Sequence, residues 1–227
     1  MEPESVKVVL LGESGVGKTC IINQFTEHKF DEKILSSLSA QFVSKTIEYI
    51  DFGKAIKFDI WDTVGQERFR SIAKIFYKDA KVILLVYDIT FERSFNEIKN
   101  FWYDEIKNNC DVIPVIAIVG NKVDLYKEQK VDQNDAKEFA KKIGALFQLT
   151  SAKTSDGIST LFDNIGKKYL QPTYEYDTAD NEAKEKYNKK KEGEKNTRIR
   201  IKMGNNNDND NDKEQRNNNG NQKKGCC

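Results

Sequence analysis

The chain has 227 residues, enough for one domain with a sizeable core and further segments outside it. Its 37 Lys and Arg against 36 Asp and Glu leave a formal net charge of +1, so no global field favours nucleic acid or another polyanion. No apolar run reaches about 18 residues and no basic-then-apolar stretch opens the chain, so the expectation is a cytosolic protein without a membrane span. Cys20 and Cys110 stand alone and read as reduced thiols, Cys226 and Cys227 end the chain, and no spacing suits zinc. The lone His28 reads as a surface or helix-end residue rather than a catalyst.

In chain order, the apolar run Val6 to Leu11 predicts a buried strand, followed by a glycine-rich loop and a helix from Thr19 towards Phe25. Strands are predicted at Phe42 to Asp51 and Ala55 to Trp61, flanking a hairpin turn at Phe52-Gly53-Lys54. Further strands are predicted at Val82 to Tyr87, Val112 to Val119 and Ala145 to Leu149. Helical character falls between them, at Phe69 to Asp79, Arg93 to Asn108, Asp132 to Ile143 and Ile158 to Leu170. Within the second of these, Phe95, Ile98, Trp102 and Ile106 recur at spacings of three and four, one face of a helix. Apolar strands alternating with amphipathic helices predict an α/β domain with a mostly parallel sheet covered on both faces. Ligands then bind beyond the C-terminal ends of the strands.

The loop itself, Gly12 to Thr19, reads GESGVGKT and fits G-x-x-x-x-G-K-[ST] in the strand–loop–helix setting that the chemistry requires. Its glycines let the backbone N–H groups of Ser14, Gly15, Val16, Gly17, Lys18, Thr19 and Cys20 turn towards phosphate oxygens at a helix N-terminus. Lys18 reaches the outer phosphates in such a loop, and the Thr19 hydroxyl binds Mg²⁺. Trp61 to Gly65, WDTVG, ends a strand; it offers Asp62 as a partner to Mg²⁺ and the Gly65 N–H to a γ-phosphate. Asn121-Lys122-Val123-Asp124 follows a strand, and the Asp124 carboxylate can accept from both the ring N–H and the exocyclic amine of guanine, a donor pair adenine lacks. After the last strand, Ser151, Ala152 and Lys153 can offer a backbone N–H to the guanine carbonyl. Four motifs in order, each after a strand, point to GTP and GDP with Mg²⁺.

These residues, together with QERFR (Gln66 to Arg70), Phe76 to Ala80, and YDIT (Tyr87 to Thr90) followed by Ser94-Phe95, resemble the Ras superfamily and, within it, closely resemble the Rab GTPases. The resemblance covers about residues 5 to 170. It implies a P-loop fold with a six-stranded sheet and five helices, and two nucleotide-sensing switches near Phe30 to Gln41 and Asp62 to Asp79. It also implies that Phe30 packs against guanine, that Gln66 orients the attacking water beside Lys18, and that Ser37 joins Thr19 and Asp62 around Mg²⁺. The implied function is a slowly hydrolysing GTP/GDP switch in membrane trafficking. Its partners would be effectors, exchange factors, GTPase-activating proteins and prenyl-binding escorts, and it would sit on the cytoplasmic face of an intracellular membrane while cycling with cytosol.

Departures from the family pattern fall in the switches. Ser37-Leu38-Ser39 stands where Rabs usually carry Thr-Ile-Gly, Val64 where they carry Ala, and Ile34 where many have an aromatic. Ser37 keeps the hydroxyl but lacks the methyl, and Val64 places two extra methyls beside Gly65 and Gln66. These changes bear on hydrolysis rather than on binding, so a GTP-binding interaction module with negligible hydrolysis stands as an alternative. Arg68 and Arg70 read as partner-binding or surface residues, not as a built-in arginine finger.

The character changes at Gln171-Pro172, and from about Tyr174 onward charge and Asn dominate, with Lys189 to Lys191 and an Asn/Asp-rich run from Asn205 to Asn221, too little apolar surface to offset ordering entropy. The expectation is a domain over 5–170 and a disordered tail over 171–227, a coil of about 55 residues with a root-mean-square reach of roughly 40 Å. Cys226-Cys227 does not fit a C-a-a-X box, since Lys224 stands four from the end. It resembles the Rab double-prenylation signal, and two lipid chains anchor stably where one is marginal. If no lipid is attached, the alternative is a soluble GTPase outside trafficking.

Overall fold

The computed structural model describes residues 2–32, 41–63 and 70–174, with the side chains of 70–73 excepted. No helix among them is long and apolar enough to cross a membrane. The first strand, β1 (Glu4–Leu11), runs through the middle of a six-stranded sheet and pairs in parallel with β3 (Lys54–Asp62) and β4 (Val82–Asp88). The order is β2-β3-β1-β4-β5-β6, where β2 is Gln41–Tyr49, β5 Val115–Asn121 and β6 Leu146–Leu149. Only β2 is antiparallel. It reaches β3 through a single 3-10 turn, Ile50–Phe52, closed by Gly53 at φ 58, so the hairpin forms where the sequence predicts it. The predicted strand Phe42 to Asp51 ends two residues early, because Ile50 turns outward to 85% exposure.

Period-two alternation sorts each central strand between two cores. Val6, Val8 and Leu10 of β1 and Val82, Leu84 and Val86 of β4 face one side, with α1 (Lys18–Glu27) and α6 (Ile158–Leu170). There Phe25 of α1 stacks on Phe162 of α6, ring centroids 3.6 Å apart. Val9, Leu11, Ile83 and Leu85 face the other side, with α2 (Arg70–Tyr77), α3 (Glu92–Glu97), α4 (Tyr103–Asn109) and α5 (Gln133–Lys142). The predicted stripe Phe95, Ile98, Trp102 and Ile106 is buried as one row.

Between α3 and α4 a π turn, Ile98–Trp102, keeps the helix going, and its wider turn holds residues four apart on the same side. Joined in this way, the six α-helices among the described residues make five rods, the number that the resemblance implies. The predicted strand from Val112 begins only at Val115. Pro114 lacks an N–H for the ladder, and Val112 is 82% exposed. His28 is the α1 C-cap, left-handed at φ 56, a helix end as predicted. Asp132 caps α5, its carboxylate accepting from the backbone N–H of Asn134 at 2.6 Å.

Candidate functional site

The sheet's buried polar residues gather at the C-terminal ends of its strands. Asp62 ends β3 and Thr63 follows it, Asp88 ends β4, Asn121 ends β5, and Thr150 and Ser151 follow β6, each 6% exposed or less. Buried polar groups at one end of a parallel sheet mark where a polar ligand sits.

The loop from Gly12 to Gly17 lies across this end. Gly12, at φ 143, is pressed against β4, and a Cβ there would lie 2.2 Å from Val86 O. Gly17, at φ 98, packs on the Asn121 side chain, and a Cβ would meet its Nδ2 at 2.3 Å. Gly15 is also left-handed, at φ 78, but a Cβ on it would meet open space within 4 Å. Two glycines are therefore needed for close packing, while the third turns the chain over an opening.

The α1 N-terminus stands at that opening. Its N-cap is Gly17 with no side-chain cap, and no acidic residue lies in its first turn. Such an end presents unsatisfied N–H donors and a positive partial charge. Lys18 is folded beneath the loop, 6% exposed, and donates to Gly12 O and Glu13 O at 2.9 Å each. Burial lowers its pKa to about 8, while Asp62 and Glu13 act in the opposite direction. A buried cation beneath an uncapped helix start fits a polyphosphate.

For a metal, Thr19 Oγ1 donates to Asp62 Oδ2 at 2.5 Å, which brings a hydroxyl and a carboxylate, both hard oxygen donors, together at the strand end. Among the described residues no group of three His, Cys, Asp or Glu could hold a metal. The Thr19 hydroxyl and Asp62 carboxylate fit an ion such as Mg²⁺, which takes few protein ligands and completes its shell with phosphate and water. A cleft of about 200 Å³ runs from Thr19 and Asp62 between α1 and β2 to Phe42.

The other loops are stitched to this one. Asn121 Nδ2 donates to Val16 O at 2.9 Å, while its Oδ1 accepts from Thr150 Oγ1 and Ala152 N at 3.2 Å each. Ser151 Oγ donates to Asp124 Oδ1 at 2.5 Å and accepts from Thr154 N at 3.1 Å. One Asp124 oxygen is thus held in place on a 3-10 turn, Val123–Glu128. Lys122 is left-handed at φ 68, and its Nζ lies 2.7 Å from Asp88 Oδ2. Cys20 is half-buried at the start of α1, and burial raises its thiol pKa despite the nearby Lys122 charge.

Phe30 is 36% exposed. Nearby, Lys153 Nζ reaches across 121 positions to Glu32 Oε1 at 2.5 Å. That hydrogen bond holds the Lys153 ammonium above its ordinary pKa. Ser14, Gly15, Val16, Gly17, Lys18, Thr19 and Cys20 are thus brought to one end of the sheet with Asp62, Asn121, Lys122, Asp124, Ser151, Ala152 and Lys153. Ser37, Val64, Gly65, Gln66, Arg68, Cys226 and Cys227 lie outside the described residues.

Sequence reasoning missed an aromatic row beside the site. Phe42 of β2, 54% exposed, lies 5.1 Å from the ring of Trp61 on β3, and Trp61 lies 6.3 Å from that of Phe76 on α2. The available signal was the alternation along β2, which turns Phe42 away from the core.

With this geometry in view, the likeness to known proteins is specific. The Ras family model matches residues 7–171. The chain is 42% identical over 165 residues to Ras-related protein Rab-21 of Geodia cydonium, covering 73% of this chain and 71% of that protein. It is 42% identical over 167 residues to human Ras-related protein Rab-21, covering 74% and 73% of the two chains. Human Ras-related protein Rab-22A matches at 42% over 168 residues, 74% of this chain and 85% of that one. Similarity of this extent, over the same span that carries the loop, the sheet and the strand-end motifs, makes the chain a member of the Rab family of small GTPases within the Ras superfamily.

Proposed function

We propose that the chain is a GTP/GDP switch of membrane trafficking, with a nucleotide-binding domain over 5–170 and a tail over 171–227 that carries lipid on Cys226 and Cys227. The observation that carries the nucleotide reading is the uncapped α1 N-terminus above buried Lys18, tied through Asn121 to the segment bearing Asp124. In this reading Asp124, held by Ser151, accepts from both guanine donors, and Ala152 N–H faces the guanine carbonyl. Phe30 covers the base from the solvent side.

Catalysis in this class is mostly positioning and electrostatics. Lys18 and the loop N–H groups from Ser14 to Cys20 take up the charge that spreads over the transferred phosphoryl group. Gly65 N–H contacts the γ-phosphate, and Gln66 orients the attacking water. Thr19 and Ser37 would hold Mg²⁺, with Asp62 behind Thr19; the ion, when bound, neutralises phosphate charge. With no arginine read as a built-in finger, turnover is slow and an activating partner supplies the rest. Exchange factors, escorts and effectors complete the cycle, and the aromatic row of exposed Phe42 with half-buried Trp61 and Phe76, joining the two switches, is the apolar surface an effector would engage.

Val64 and Ser37 motivate a second reading, a GTP-binding interaction module with negligible hydrolysis. Single-turnover hydrolysis of GTP by the purified full chain with Mg²⁺ separates the two. Slow conversion to GDP that is accelerated by an activating protein supports the switch, and GTP retained unchanged supports the module. Expression of the full chain beside a version lacking Cys226 and Cys227 tests the membrane arm, since loss of membrane association is expected only for the truncated form.

A further inference from the structure

YDIT closes β4 beside the end of β5, and its aspartate divides its two oxygens between separate tasks. Asp88 is 6% exposed. Its Oδ1 accepts from both the backbone N–H and the hydroxyl of Thr90, at 2.8 Å each, and so shapes the turn. Its Oδ2 is left for Lys122, whose Nζ lies 2.7 Å away. The parallel register pairs Asp88 with Asn121, and Ile89 N donates to Asn121 O at 3.1 Å. The sheet itself therefore delivers Lys122 to this carboxylate.

Lys122 occupies a backbone conformation that a residue with a Cβ adopts only at a cost, φ 68 and ψ 37. Glycine would adopt it more cheaply, so the side chain is what the position retains. Neighbouring bonds hold the backbone there. Val123 N donates to Thr150 O at 3.1 Å, and Leu125 N to Lys122 O at 2.9 Å. The side chain is still one-third exposed, and a lysine stem in that setting is free to reorient unless its head group is held. Asn121 on one side of it is bonded to the phosphate loop, and Asp124 on the other to Ser151.

We propose that Asp88 is a positioning residue for nucleotide retention: it grips the Lys122 ammonium so that the lysine stem stands preformed as a wall for the guanine base. This rests on the guanine reading given above. A stem ordered before the nucleotide arrives loses no freedom when it binds, and Asp88 thereby lengthens the residence of GDP and GTP alike. The effect is independent of Mg²⁺, because the pair lies on the base side of the site.

The experiment follows release of a fluorescent GDP from the full-length chain by chase with excess GDP. Asp88→Asn keeps one oxygen for Thr90 but sets an amide against the ammonium. Release from it is expected to be about tenfold faster than from the wild type, with Mg²⁺ present or chelated. Lys122→Met is expected to release faster by a similar factor, and in that background Asp88→Asn is expected to add less than about twofold. Release from Asp88→Asn at the wild-type rate overturns the proposal. So does equal acceleration in both backgrounds, which assigns the effect to the Thr90 turn. Should Asp88→Asn not fold, Lys122→Met decides alone: Asp88 keeps its Thr90 bonds there, and release as slow as wild type overturns the proposal. Failure of the guanine reading looks different, because then the wild type itself holds fluorescent ATP as well as fluorescent GDP, and the proposal falls with it.

Discussion

Asn121 and Val16 lie 105 positions apart, yet Asn121 Nδ2 donates to Val16 O at 2.9 Å and ties the end of β5 to the glycine-rich loop between β1 and α1. The other end of the same amide accepts from Thr150 Oγ1 and Ala152 N. Three loops therefore share one buried side chain, 1% exposed. Asn121→Ala would leave Val16 O and Ala152 N without these partners, at a cost of about 2–4 kcal/mol. Thermal unfolding of the nucleotide-free protein is expected to fall by several degrees, with faster GDP release as well. Asn121→Asp keeps the acceptor but sets a buried carboxylate oxygen against Val16 O, so it is expected to melt at or below the alanine variant. Unchanged melting of the alanine variant would discard the three-loop account.

Base choice should depend on Asp124, which Ser151 Oγ holds at 2.5 Å. The wild type is expected to prefer GDP over ADP by several orders of magnitude, because adenine leaves the carboxylate facing no donor pair. Asp124→Asn is expected to move preference towards xanthine nucleotides, whose ring carbonyl then meets an N–H. Competition binding with the four diphosphates checks this, and ADP binding within tenfold of GDP contradicts it.

Lys18 is expected to make nucleotide binding pH-dependent above neutrality. Burial lowers its pKa to about 8 in the nucleotide-free protein, and a phosphate beside the ammonium raises it again on binding. Binding GDP near pH 8.5 should therefore take up a proton, and affinity should weaken as pH rises above about 8. Below that pH the ammonium is already charged and Lys18 contributes no uptake. The same shift bears on stability with the opposite sense. Between about 8 and the ordinary lysine value the unfolded chain binds the proton and the folded one does not, so the nucleotide-free fold gains stability with rising pH in that window. Calorimetric titration in two buffers of different ionisation enthalpy measures the uptake, and its absence near pH 8.5 refutes the lowered pKa.

Val64 stands beside Gly65 and Gln66 where the family pattern has alanine. If its methyls crowd the glutamine, Val64→Ala is expected to raise the single-turnover rate of GTP hydrolysis several-fold while leaving GTP affinity unchanged. Ser37→Thr, restoring a methyl in the first switch, is expected to slow GTP dissociation. Equal hydrolysis rates for wild type and Val64→Ala would remove the crowding argument.

Local pattern was enough, within the sequence, to set out the alternation of strands and helices, the hairpin at Gly53 and the buried stripe from Phe95 to Ile106. Each of these depends on neighbours a few positions apart, where period and turn chemistry act directly. The same holds for the strand–loop–helix that carries Lys18, and for the position of Asn121 and Ser151 at strand ends. Boundaries were less legible. Val112 and Ile113 have the composition of a strand but precede Pro114, and β5 starts after it.

Only the tertiary structure decided which distant groups meet. A parallel sheet pairs strands that are far apart in the chain, so its register, not any local period, sets Asp88 beside Asn121 and hence beside Lys122. Register likewise pairs Phe42 with Trp61 across β2 and β3, and α2 then brings Phe76 to the same row. Lys153 and Glu32 meet because the loop after β6 and the segment after α1 open at the same end of the sheet. A motif read from sequence names the groups that can act at a strand end; the distances between them arise from backbone pairing and core packing over the whole domain, which no window of residues contains.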